Sequence, residues 1–468
     1  MAHPIDPNFK TMNKQQPLNT PATRREFLKK TALASAAVAA TPLLHTPVYG
    51  QSQAPSANVL GANDRITVGY IGVGGQGFNA HVKIMKANLA ANNIAQAAVC
   101  DVWPKRVDRA KEEIGGDCKG YSDYRKLLEQ KDLDGVVIAT HDPIHASASI
   151  AALEAGKHVY VEKPLTRYLD EAFAVHEVVK KTGKKLQVGS QGCSAAGWHK
   201  AAELIQAGRI GPLVWAQGYY CRNNPKGEWN YPIDTDANAN DVNWDAWLGQ
   251  VKHRVPFTPD HYFRWRKFYP YCAGLLGDLV PHRLFPLVLA TGKPEFPKRV
   301  ACIGTKVVYP DKNTDGALER QVPEHSEILA EFPSGYSLVI VTSTIASRSP
   351  GFVIYGHHAS LEIGTSGERI SLMPEKEFGD EVDPDSFEGL QPIEDIGVHH
   401  KNWFDSIRHD KEPNANIDLA LKVQTVISLA EMSDRLGAAC LYDEKTRKIT
   451  TAGGQEIKAI TYGTLEQS

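Results

Sequence analysis

The chain has 468 residues, 42% hydrophobic and 23% charged, with a formal net charge of −2 at pH 7. That length exceeds one small core, and the balance is that of an ordinary soluble globular protein, so two domains with appendages are expected. Long basic runs and aromatic–basic interleaving are missing, which excludes nucleic acid and acidic membrane surfaces as charge-driven partners.

Residues 1–22 are polar and without periodicity, and are expected to be disordered. Next comes Thr23-Arg24-Arg25-Glu26-Phe27-Leu28-Lys29, then a weakly apolar run over 31–44. This closely resembles a twin-arginine export signal, which implies the export machinery as a partner and a periplasmic or otherwise exported location. The alternative is an amphipathic N-terminal helix; the apolar run is too short for a spanning one. Val48-Tyr49-Gly50 offers a cleavage site before Gln51, and residues 51–64 read as a linker.

From residue 65 apolar runs alternate with helical segments, the pattern of a parallel sheet covered on both faces. Strands are predicted at 66–71, 95–100, 135–139, 157–161 and 186–189, and helices near 77–90, 104–114, 123–130, 145–154, 169–182 and 195–207. The first strand ends in Gly72-Val-Gly74-Gly75-Gln76-Gly77, a Gly-x-Gly-x-x-Gly turn whose helix N-terminus makes an anion site. Asp101 closes the second strand, where an adenosine ribose would lie. The C-terminal edge of such a sheet would gather Gly72, Gly74, Gly75, Gln76, Gly77, Asp101, Thr140, His145, Glu162, Lys163 and Gln191 around NAD. Lys105 and Arg106 could instead receive the phosphate of NADP.

After residue 212 the pattern changes. A strand is predicted at 213–221, then a long aromatic and proline-rich excursion over 222–272, then strand-like runs at 299–308, 326–332, 337–345, 351–356 and 359–363. Short turns between them suggest an antiparallel sheet. Two helices are expected to close the chain, one of them over 417–436 with Gly437 as its stop. The expected organisation is α/β: a Rossmann domain over 65–190, a C-terminal α+β substrate and oligomerisation domain over 191–450 with an open, mostly antiparallel sheet, and a tail over 451–468.

Two groups could carry chemistry. Lys163, between Glu162 and Pro164 at a strand end, can hydrogen-bond a substrate oxygen, and desolvation would lower its pKa; otherwise it is a solvated lysine. Asp278 and His282 are four apart, so on a helix they share a face, as an acid/base pair or an ordinary surface contact. Pro281 requires an early-turn position or a kink there. Tyr262, Arg264 and Arg266 are candidate sugar contacts, with packing as the equal alternative. Metal sites are not expected: the seven cysteines are scattered, His357 and His358 adjoin in a predicted strand and face opposite ways, and Asp234-x-Asp236-x-Asn238 lacks the glycine of a calcium loop.

The glycine fingerprint, Tyr121-Ser-Asp-Tyr-Arg125, Ala155-Gly-Lys-His-Val-Tyr-Val-Glu-Lys-Pro-Leu165, Val242-Asn-Trp-Asp-Ala-Trp-Leu-Gly249 and Gly277-Asp-x-x-x-His282 resemble, in this order, the glucose–fructose oxidoreductase / inositol dehydrogenase (Gfo/Idh/MocA) family. The resemblance implies NAD(P)-linked redox chemistry on a secondary alcohol of a sugar, polyol or glycoside. It also implies Lys163 as the substrate-facing lysine, Asp278 and His282 as the acid/base pair, and Glu162 and His145 against the nicotinamide half. Export implies a tightly bound cofactor, and the sheet implies a homo-oligomer. The rivals are an NAD-dependent glycosidase of the same fold and a non-catalytic dinucleotide-bound protein.

Overall fold

The computed structural model describes residues 64–465; the twin-arginine segment, its cleavage site and nearly all of the linker lie outside the described residues. The first sheet comprises β1 (Ile66–Ile71), β2 (Ile94–Cys100), β3 (Lys119–Tyr121), β4 (Gly135–Ile138), β5 (His158–Glu162) and β6 (Leu186–Gly189). Its order is β3-β2-β1-β4-β5-β6 with every neighbour parallel, so strand order reverses at β1 and a crevice opens beyond the strand ends there. The buried β-branched runs of β1, β4 and β5 explain why they are central. β3 was not expected, because the largely exposed Lys-Gly-Tyr carries no apolar run and joins only as an edge.

The helix after the glycine turn departs from the α form. It opens as a π-helical turn over Gly77–Val82, then continues as Lys83–Ala87 and Leu89–Asn92.

The second sheet has eleven strands in the order β14-β13-β12-β11-β7-β10-β9-β8-β15-β16-β17. These are β7 (Leu213–Cys221), β8 (Arg299–Thr305), β9 (His325–Glu331), β10 (Ser337–Ser343), β11 (Phe352–Gly356), β12 (Ala359–Ile363), β13 (Arg369–Pro374), β14 (Asp385–Glu388), β15 (Cys440–Tyr442), β16 (Ile449–Thr451) and β17 (Glu456–Ile457). All neighbours are antiparallel except β7 with β10. Strand β9 shows the amphipathic logic: Ser326, Ile328 and Ala330 are buried, whereas Leu329 is 52% exposed. The inner face packs against the helices Ala196–Gln206, Pro281–Ala290 and Ile417–Leu436. Two helices were expected to close the chain; instead β15 to β17 follow Gly437 and extend the sheet beyond β8.

His357 and His358 also differ from expectation. They occupy the bend between β11 and β12, with ring centroids 5.4 Å apart and both rings against Phe378. Asp234 and Asp236 form ion pairs with Lys105 at 2.8 and 2.6 Å. The excursion folds back on the first sheet, its Asn243 N–H donating to Val102 and its aromatics packing around Trp103.

Candidate active site

The glycine turn is built for a ligand. Gly72 has φ +84°, and a Cβ there would stand 2.8 Å from the Ala139 carbonyl. A Cβ on Gly77 would meet the Gly72 carbonyl oxygen at 2.0 Å, whereas Gly75 faces open space. Asp101 is fixed at the neighbouring strand end: Oδ2 accepts from Val73 N–H (2.9 Å) and Oδ1 from Trp103 N–H (3.1 Å), with Arg106 3.9 Å away. At the end of β6, Gln191 Oε1 is buried and takes no hydrogen bond among the described residues, an acceptor of the kind a nucleotide amide or hydroxyl needs. These features fit a dinucleotide along the strand ends.

The other end centres on Asp278. Lys163 Nζ, next to a cis peptide bond to Pro164, donates to Asp278 Oδ1 (2.5 Å) and to its carbonyl (2.8 Å). Arg266 Nε donates to the same Oδ1 (2.8 Å), and Trp229 Nε1 to Oδ2 (2.8 Å). Burial alone would push the carboxyl up, but Arg266 and Lys163 hold it well below the usual carboxylate range. Lys163 is the reverse of the sequence expectation: burial pushes it down, yet Asp278 raises it overall, so it is a firm ammonium.

Among the described residues no hydrogen bond joins His282 to Asp278, although the carboxylate is near enough to favour the charged imidazole. Asp278 ends the short Leu275–Asp278 helix and Pro281 opens the Pro281–Ala290 helix, with Leu279 and Val280 keeping helical dihedrals between them. The His282 ring lies beside Tyr220, centroids 5.6 Å apart. Burial, then the Lys163 charge, lower it to about 3, leaving a neutral imidazole.

Residues 66–190 match the family model for the Gfo/Idh/MocA oxidoreductases, whose description is an NAD-binding Rossmann fold. That stretch of the chain is similar to the family's NAD-binding domain. It is 29% identical over 168 residues to an inositol 2-dehydrogenase of Salmonella typhimurium, covering 36% of this chain and 49% of that one. It is 27% identical over 245 residues to an alpha-N-acetylgalactosaminidase of Shewanella oneidensis, covering 46% and 52%. The chain thus spans about half the length of the curated relatives it matches. A solved levoglucosan dehydrogenase, in complex with NADH and levoglucosan, superposes with a TM-score of 0.61 at 19% identity, over 80% of this chain and 98% of that one, and shows the shared fold.

The remaining predicted residues divide. Thr140 packs over the Gly72 turn, and the His145 ring bridges two loops: Nδ1–H donates to the Pro164 carbonyl (2.8 Å), and Nε2 lies 3.3 Å from that of Thr140. Glu162 accepts from Gln76 (3.0 Å) and His81 (2.9 Å). Arg266 joins the Asp278 cluster. Tyr262 and Arg264 turn away from it. Arg264 is locked to Asp260 (2.6 Å) and the Tyr231 carbonyl, and Tyr262 is buried among Trp103, Trp247 and the Arg106 guanidinium, on the Asp101 side.

Trp229, Tyr220, His81 and His400 were missed. Trp229 adopts φ +67°, uncommon for a bulky residue and a mark of a position fixed by its surroundings, but no local pattern announces it.

Proposed function

We propose that this protein is an exported NAD(H)-dependent oxidoreductase acting on a secondary alcohol carbon of a sugar, polyol or glycoside. The observation that carries the reading is the ammonium of Lys163, held by Asp278, in one site with the neutral ring of His282. Bound NAD supplies the hydride acceptor, or in the other direction the donor. His282 accepts the hydroxyl proton in oxidation and returns it in reduction. Lys163 hydrogen-bonds the substrate oxygen and stabilises the charge that develops on it. Arg266 and Trp229 keep the Asp278 carboxylate in place.

The galactosaminidase relative supports a second reading, glycoside cleavage through transient oxidation and elimination. One assay separates them: the purified protein is offered free sugars, polyols and nitrophenyl glycosides. Accumulating NADH absorbance supports the oxidoreductase. Nitrophenol release without net NADH supports the glycosidase, and silence on every compound leaves the non-catalytic binder.

Asp101 would accept the adenosine ribose hydroxyls and repel a 2′-phosphate, while Lys105 is drawn off by Asp234 and Asp236. NAD⁺ should therefore bind at least about tenfold more tightly than NADP⁺, and Asp101→Ser should narrow that gap. Equal affinity of the wild type for both would remove Asp101 from this role.

A twin-arginine substrate crosses the membrane folded, so this protein can load its dinucleotide before export and, with no free pool expected outside, must keep it. Reoxidation would then use a second carbonyl substrate in the same site. Mature protein should retain near-stoichiometric dinucleotide through gel filtration, and Arg24→Lys with Arg25→Lys should strand the precursor inside. Cofactor-free protein that turns over only with added NAD⁺ would refute retention.

The outer face of the second sheet exposes Ile303 (66%) and Leu329 (52%), and Trp215 stacks on Tyr355 across the central pair β7 and β11, which supports association of two copies through this face. Leu329→Glu should shift the wild-type sedimentation coefficient toward the monomer; an unchanged value would place the interface elsewhere.

A further inference from the structure

Gln76 and His81 are five residues apart, a spacing that an α-helix splays by about 140°. The π-helical turn over Gly77–Val82 brings them to one side, and both end on the same atom, Glu162 Oε1, at 3.0 and 2.9 Å. On its other side His81 Nδ1 lies 2.9 Å from His400 Nε2, carried by the Ile396–Arg408 helix. Against an ionised carboxylate His81 Nε2–H donates to Glu162, and its Nδ1 shares one proton with His400 Nε2. His81, His400 and Glu162 are 0%, 1% and 5% exposed. The backbone makes room as well, since a Cβ on Gly189 would stand 3.0 Å from the Glu162 carboxyl. The Lys163 N–H donates to the second oxygen at 3.2 Å. Burial favours the uncharged acid, yet His81, the Lys163 charge and Gln76 together hold Glu162 well below the usual carboxylate range.

A dry, ionised carboxylate held by three elements is costly unless its charge is used. At the end of β5, Lys163 and Arg266 bring two positive charges against the single negative charge of Asp278. In a sheet of this order the nicotinamide half of a dinucleotide belongs on the β4–β5 side of the switch point. Oxidised nicotinamide carries a positive charge that the reduced ring lacks, and an uncompensated cation there would repel it. Glu162 sets a second negative charge against the Lys163 and Arg266 cations. We infer that Glu162, kept ionised by Gln76, His81 and His400, biases this site toward the oxidised dinucleotide and so sets the relative affinity for NAD⁺ and NADH. The inference rests on the dinucleotide reading above but not on any substrate.

The groups facing this carboxylate are His81, His399 and His400, with Tyr160 behind it and Lys163 and His282 in front. Burial lowers His399 to about 4, His400 well below the usual range and His282 to about 3, while Tyr160 and Lys163 are raised, so His399, His400, His282, Tyr160 and Lys163 keep their charge between pH 6 and 9. The test equilibrates whole mature protein with equimolar NAD⁺ and NADH, removes free nucleotide by gel filtration, and quantifies what is released on denaturation. Glu162→Gln should lower the bound NAD⁺:NADH ratio at least about tenfold at every pH. His81→Phe should make the ratio fall as pH falls, because a carboxyl with fewer donors takes up a proton. Gln76→Leu, at an exposed position, should shift it less in the same direction, and decides the matter if the buried variants fail to fold. A wild-type ratio in Glu162→Gln, or in both His81→Phe and Gln76→Leu across this pH range, overturns the inference. Failure of the wild type to hold either dinucleotide would instead count against the cofactor reading.

Discussion

Replacing His282 with alanine should lower kcat by about 10²–10⁴-fold, the usual worth of a positioned general base, and leave dinucleotide binding nearly intact. The ring is the neutral base of the site because burial and the Lys163 ammonium keep it near 3. Oxidation should therefore show no loss of rate from this group between pH 8 and pH 5, unlike a free imidazole titrating near 6.5. Lys163→Ala should cost a similar factor, and the double variant should be little worse than either single one, since both act on one proton transfer. In Lys163→Ala the acid limb of the residual rate should move up, because a charge that disfavours the imidazolium is gone. Lys163→Arg should rescue poorly, as the planar fork cannot reproduce the paired contacts to Oδ1 and the carbonyl of Asp278. Steady-state NADH absorbance across this pH range is the measurement. Near-normal turnover in His282→Ala would move the proton transfer to another group.

What was legible in the chain followed local pattern. Strands β1, β6, β7 and β12 and the helices Pro104–Ile114, Leu169–Thr182 and Ile417–Leu436 fall where periodicity, glycine stops and buried runs put them. Strand ends then brought Gly72, Asp101, Glu162 and Gln191 to one edge, a topological consequence of alternating strands and helices. Contacts made by irregular backbone were illegible. Trp229 reaches Asp278 from a loop across 49 residues, and nothing in its neighbours specifies that path. His81 was hidden because Gln76, which meets the same Glu162 oxygen, stands at a spacing that makes sense only in a π-helical turn. The i,i+4 spacing of Asp278 and His282 placed them near each other but did not reveal that Lys163, Arg266 and Trp229 take up the carboxylate's hydrogen bonds. Tyr262 and Arg264 show that residue type alone does not distinguish a sugar contact from a wall.

Asp278→Ala should be the most destabilising change in the site, by about 3–5 kcal/mol, because it leaves the Lys163 and Arg266 charges buried without their partner. Against a typical net stability of about 5–15 kcal/mol, that is a large share, and the melting temperature should fall accordingly. Asp278→Asn should lose less, since the amide oxygen still accepts one hydrogen bond, although the two cations remain uncompensated. Acid reveals the same group in the wild type. Asp278 is held far below its ordinary value of 3.8 in the fold, so its contribution is fully present above that pH and is lost as pH falls toward the depressed native value. The stability gap between wild type and Asp278→Asn should thus be constant from pH 8 to about pH 5 and close below pH 4. Thermal unfolding of both proteins across this range, followed by near-ultraviolet circular dichroism, reports the gap directly. Trp229→Phe offers an internal control, because it removes one donor and leaves both ion pairs, so its cost should be only about 1–3 kcal/mol. If Asp278→Ala melts with the wild type at pH 7, the carboxylate is not what holds Lys163 and Arg266 together. The ammonium of Lys163 would then need another source for the position from which it meets the substrate oxygen.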